Sequence, residues 1–139
     1  MDLQAVQLCP RSNVSTLYFK TKLAVHNFTG YDIKRGEGYC FIWTETEGGL
    51  TANEFASVII RMLELFIEKN NIPEGSEIVL FSDGCTYQNR SSTLSNALLN
   101  FSMVKKVKVV QKILEKGHTR MEPDSMHSVI ERKIKKKRK

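Results

Sequence analysis

A change of period along the chain constrains the fold more than any other feature. In residues 51–71, "TANEFASVIIRMLELFIEKNN", Phe55, Ile59, Met62 and Phe66 recur at three- and four-residue spacing, flanked by Val58, Leu63 and Leu65. That stripe predicts an amphipathic helix. Thr51 and Glu54 stand at capping-box separation, and Asn70, Asn71 and Pro73 supply a stop. Upstream the period is two. In residues 17–28, "LYFKTKLAVHNF", Tyr18, Lys20 and Lys22 alternate with Phe19, Thr21 and Leu23, and the aromatic, β-branched run "YCFIWTET" follows after the turn-like "GYDIKRGEG". These read as two strands, and their short linkage favours an antiparallel pair.

Downstream, the four apolar residues 78–81 read as a buried strand. They are followed by a weaker helical segment, "RSSTLSNALLNFS", and by a second strand in "VKVVQKIL", where Val107, Val109 and Val110 suit a sheet. A last helix is expected to start near Asp124, with Pro123 in its first turn and Met126, Val129, Ile130 and Ile134 at helical spacing. The order predicts an α/β fold with a mixed sheet and helices on its faces. Residues 78–81 and the segment near 107–113 should be neighbours in that sheet.

A chain of 139 residues is expected to be one domain with a sizeable core, and 41% hydrophobic with 26% charged residues is an ordinary globular balance. No apolar run approaches bilayer length, so a soluble protein without a membrane partner is expected. The first residues have neither a signal-peptide nor a transit-peptide layout. Cys9, Cys40 and Cys85 are odd in number and scattered, which argues for a reducing compartment and against a disulfide framework or structural zinc site. Seven of the last eight residues are Lys or Arg, and taking those charges from the +6 total leaves the rest of the chain at about −1. The basicity is local to a tail, residues 132–139, following a body of residues 1–131. Such a tail suits phosphate binding, nuclear import or a solvated charge run.

The stretch "FSDGCTYQNR" carries Asp83 out of the strand into a polar loop. Asp-Gly is a common turn, because Gly accepts positive φ and Asp bonds nearby backbone. Strand ends near a topological switch are also where sites form in α/β sheets. Asp124 and Asp2 are further acids that can reach such an edge. Carboxylates brought together repel unless one stays protonated or a cation intervenes. Oxygen-rich surroundings select Mg²⁺ or Mn²⁺, and two such ions roughly 3.5–4 Å apart serve phosphodiester chemistry.

Taken in order, "MDLQAVQLCP", "LYFKTKLAVHNF", "FIWTETEGG", "NEFASVI", "FSDGCTYQNR" and "EKGHTRMEPDSMHSVIER" resemble transposase-derived proteins with a ribonuclease H-like catalytic domain of the acidic-triad (DDE) type, over nearly the whole chain. The resemblance implies a ribonuclease H-like fold with a truncated first strand and no preceding DNA-reading module. It also implies metal-dependent phosphodiester hydrolysis and strand transfer on DNA, with nuclear localisation. Asp2 is then the first-strand acid and Asp83 the acid ending the fourth strand. Asp124 is favoured as the third acid because a helix N-terminus suits a carboxylate, with Glu131 as the alternative.

Relatives commonly carry Asn-Cys-Gly-Gly after the central acid. Here Gly84, Cys85, Thr86 and Tyr87 stand there, a difference that bears on substrate contacts. His118 is either a proton carrier beside Asp124 or a turn histidine. Gln88, Asn89 and Arg90 are either phosphate contacts or a helix-capping loop. Lys135, Lys136, Lys137, Arg138 and Lys139 are the candidate phosphate-binding cations. His26 and His127 read as structural or surface residues, and Trp43 as core. The rival function is a catalytically inactive, transposon-derived nucleic-acid or protein-binding module. Assembly into a homo-oligomer stays open. A phosphatase of the haloacid dehalogenase type, suggested by "SDGCT", needs an early Asp-x-Asp that the chain lacks.

Overall fold

The computed structural model describes residues 1–9, 21–115 and 121–136. They form a mixed α/β protein whose residues fall into two compact units. No helix among the described residues is long and apolar enough to cross a membrane.

The first unit is a four-stranded antiparallel sheet with one helix. Its strands are β1 (Asp2–Leu3), β2 (Gln7–Cys9), β3 (Leu23–Asp32) and β4 (Glu37–Thr44), and its helix is α3 (Glu122–Lys136). The central strand, β3, pairs along one edge with β4 and along the other with β1 and β2. The register slips by one residue between β1 and β2, from Asp2↔Thr29 and Leu3↔Phe28 to Gln7↔Val25, so one extra residue is accommodated at 4–6. β3 and β4 are joined by a four-residue turn at 33–36. Asp32 organises it, its Oδ1 accepting the amides of Lys34 at 3.0 Å and Arg35 at 3.2 Å. Gly36 closes the turn at φ 69°, a conformation that glycine adopts without penalty.

Within α3, Pro123 and His127 are buried, Met126, Ile130 and Ile134 are half-buried, and Val129 is 46% exposed. The apolar stripe expected through Val129 is therefore rotated to put His127 inside. The helix continues to Lys136, so the start of the basic tail is a helical extension of the same element.

The second unit holds α1 (Ala52–Asn70), β5 (Glu77–Ser82), a single helical turn at Thr86–Asn89, α2 (Ser92–Lys105) and β6 (Lys108–Ile113). Met1 groups with it, its terminal amine donating to the Phe81 carbonyl at 2.9 Å. Thr51 caps α1 by accepting the Asn53 amide at 3.3 Å, and its hydroxyl also bonds the Glu54 carboxylate. Asn71 ends the helix in the left-handed conformation. Phe55, Ile59 and Met62 are buried, each worth about 1.5–3 kcal/mol before entropy is subtracted. Leu94, Leu98 and Phe101 form the buried side of α2, which packs against α1.

β5 and β6 pair in parallel, Ile78 opposite Val109 and Leu80 opposite Gln111, with α2 as the crossover between them. The expected neighbours in the sheet are thus neighbours. The expectation of a buried strand at 78–81 holds for one face, because Ile78 and Leu80 are buried while Val79 and Phe81 are each 37% exposed. Two further differences concern the N-terminal strands. β3 starts at Leu23 and runs on through Asp32, using the first residues of the segment read as a turn, because pairing with β4 continues to Asp32↔Glu37. β2 has no sequence counterpart among the expected strands, and residues 17–20 lie outside the described residues.

Candidate metal centre

The sheet of the first unit presents polar residues in an ordered row. In an antiparallel pair directly opposed residues share a face, so Asp2 lies beside Thr29, and Gln4, whose amide donates to Asn27 O at 2.9 Å, lies beside Asn27. Asp2 accepts the Leu3 amide through Oδ1 at 2.9 Å. Two more side chains come from α3. Asp124 stands in its first turn, where Oδ2 accepts the Met121 amide at 2.8 Å, the reciprocal half of a capping box, and where the helix dipole favours a carboxylate. His127, three residues on, lies on the same side of the helix. Its Nε2 is 3.0 Å from Thr29 Oγ1, and Thr29 is fully buried. One ligand atom from each of Asp2, Asp124 and His127 lies within 4.8 Å of the others.

Burial pushes the His127 imidazole below its ordinary value of 6.5, against the opposing pull of the Asp2, Asp124 and Glu131 carboxylates. The neutral form is the one that ligates metals. Two carboxylates at this separation repel by about 1 kcal/mol in water-like surroundings and by more in a half-buried site. A divalent cation turns that repulsion into attraction. Two carboxylate oxygens and one imidazole nitrogen form a donor set that suits a first-row divalent ion. These residues therefore fit a resident metal ion.

No family model, curated protein or solved structure matches this chain. The reading of the site consequently rests on its own geometry.

Of the acids singled out in the sequence, the structure brings Asp2 and Asp124 together and leaves Glu131 outside the cluster, although Glu131 is close enough to act on His127. Asp83 belongs to the second unit, at the end of β5. Both its hydrogen bonds fall on Oδ1, from the Cys85 amide at 3.2 Å and from Asn89 Nδ2 at 2.7 Å. Gln88 and Asn89 are buried, and Asn89, 1% exposed, holds the loop through its bond to Asp83; of the three proposed phosphate contacts only Arg90 is exposed. Gln111 Nε2 further ties the Asn89 carbonyl to β6. Lys135 and Lys136 are exposed on α3, while His118, Lys137, Arg138 and Lys139 lie outside the described residues.

The residue that sequence reasoning missed is His127. The signal was present. Asp124, His127 and Glu131 share a helix face at i, i+3 and i+7, and the same spacing puts His127 between Pro123 and Ile130 on the inner side. A lone histidine on an apolar stripe is ordinarily a core residue. Only the packing of α3 beside the paired strands that carry Asp2 on β1 and Thr29 on β3 gives this one a chemical context.

Proposed function

We propose that the chain is a ribonuclease H-like domain related to DDE transposases, which performs metal-dependent phosphodiester hydrolysis and strand transfer on DNA in the nucleus. The observation that carries this reading is the convergence of Asp2 and Asp124, from opposite ends of the chain, on His127 within 4.8 Å. Bound there, a Mg²⁺ or Mn²⁺ ion supplies Lewis-acid stabilisation and lowers the pKa of a coordinated water or 3′-hydroxyl. Asp2 and Asp124 hold the ion. Arg90, Lys135 and Lys136 are exposed cations suited to DNA phosphates.

The test is nicking and strand transfer on duplex DNA with Mg²⁺ or Mn²⁺, comparing the wild type with Asp2→Asn, Asp83→Asn and Asp124→Asn. Cleavage that requires the ion and is lost in the Asp2 and Asp124 variants supports the reading, and cleavage unaffected by them removes it. A second reading, a catalytically inactive, transposon-derived nucleic-acid or protein-binding module, draws on the way Asp83 is engaged by its own loop, as an ordinary turn aspartate is. DNA binding without cleavage under any divalent ion would select it.

A further inference from the structure

Next to the Asp2, Asp124 and His127 cluster, the same sheet face carries a buried oxygen with no partner among the described residues. Gln4 Nε2 donates to the His127 carbonyl at 3.3 Å, and a carbonyl only accepts, so the Gln4 amide has one permitted orientation. Its Oε1 then accepts from Asn27 Nδ2 at 2.9 Å, which fixes the Asn27 amide as well. Asn27 is 6% exposed, and its Oδ1 is left without a hydrogen bond among the described residues. Turning over either amide only sets donor against donor or acceptor against acceptor. A buried acceptor costs about 1–3 kcal/mol unless something donates to it. A water held by a cation is such a donor.

His127 is 7% exposed and is fixed through one nitrogen. In the tautomer whose Nε2–H donates to the Thr29 hydroxyl, Nδ1 carries the lone pair, and orienting an imidazole through its far nitrogen is how metal-binding histidines are held. Imidazole suits the later first-row ions best, and Mn²⁺, at the start of that series, accepts one beside carboxylates, whereas Mg²⁺ keeps to oxygen ligands and its own waters.

We infer that His127 is the third ligand of this centre, that an ion-bound water donates to Asn27 Oδ1, and that the site takes a divalent first-row transition ion of the Mn²⁺ class in preference to Mg²⁺. The inference rests on the proposed function for the existence of a metal centre and is independent of any chemistry on DNA. Thr29 is a positioning residue for His127, and Gln4 is one for Asn27.

The experiment is a titration of the full chain with Mn²⁺ alone and with Mg²⁺ alone, together with pulsed electron paramagnetic resonance of the Mn²⁺ form. Wild-type protein is expected to show nitrogen hyperfine modulation on Mn²⁺, kept in His118→Asn and lost in His127→Asn. His127→Asn should weaken Mn²⁺ by at least about tenfold and Mg²⁺ by under about threefold. Wild-type Mn²⁺ bound without nitrogen modulation overturns the inference and needs no variant to fold. An equal loss of both ions in His127→Asn overturns it too. DNA cleavage in Mg²⁺ with no nitrogen signal would remove this inference and leave the proposed function standing. Nitrogen-ligated Mn²⁺ with no cleavage would do the reverse, and failure to bind any divalent ion would remove both.

Discussion

The two acidic strand ends of this molecule are built in opposite ways. At the end of β5, Asp83 is satisfied from within its own loop, by the Cys85 amide and the buried Asn89 amide a few residues on. At β1 and α3, Asp2 and Asp124 come from the two ends of the chain and meet a buried histidine. Local hydrogen bonds make the first arrangement stable as an apo structure. The second sets like charges side by side and leaves a neighbouring Asn27 oxygen without a donor, so it gains most from a bound cation. An acid held by its loop is a structural part by default, whereas acids gathered over long range against electrostatic cost call for a ligand.

The contrast can be broken most strongly at Asp83. Asp83→Ala leaves the nearly fully buried Asn89 amide without its acceptor, and unfolding titrations should show a loss of about 1–3 kcal/mol in metal-free buffer. A loss below the error of the titration would mean that the loop does not depend on this carboxylate. Asp124→Asn should behave differently. An amide oxygen can still accept the Met121 amide, and the relieved repulsion with Asp2 offsets the lost helix-dipole attraction of similar size, so metal-free stability should stay within about 1 kcal/mol of the wild type. A clear loss in thermal or chemical denaturation would show that the carboxylate is structural, as at Asp83.

The α/β class and several elements were legible because their signals are local, but the single mixed sheet was not, since the described strands form an antiparallel sheet and a separate parallel pair. The α1 stripe, the Thr51 and Glu54 cap and the pairing of residues 78–81 with the later valine-rich strand need only spacing and composition, and each is present. β2 was not legible, since Gln7–Cys9 is three residues long and its pairing depends on β3. The single-faced burial of β5 was not legible either, because four consecutive apolar residues look the same in a strand buried on one face or two. At the site, Asp2 and Asp124 could be picked out as acids. That His127 joins them depends on a contact across the fold, and that Asn89 turns inward to serve Asp83 depends on how one loop closes; periodicity encodes neither.

Smaller effects sharpen the comparison further. A Cβ on Gly38 would overlap the Met126 thioether, but that is the far end of a flexible side chain. Gly38→Ala should therefore cost under about 1 kcal/mol in thermal denaturation, below the usual range for overpacking. A larger loss would mean that α3 is seated rigidly on the sheet at this point. The smallest effect on folding is expected from Lys135→Gln with Lys136→Gln, both exposed, for which stability should be unchanged. If α3 faces DNA, the pair should lower the slope of log affinity against log salt by about 0.9 per cation, and an unchanged slope would remove these lysines from the interface.

The central claim is that Asp2, Asp124 and His127 form a metal centre. Calorimetric titration of Mn²⁺ into the wild type, Asp2→Asn, Asp124→Asn and Asp83→Ala tests it most directly, with the metal-free stability of each variant measured alongside. The account predicts saturable binding in the wild type, weakened by at least about tenfold in Asp2→Asn and Asp124→Asn although both stay folded without metal. Wild-type affinity retained in Asp2→Asn and Asp124→Asn, or saturable binding absent from the wild type, would contradict it.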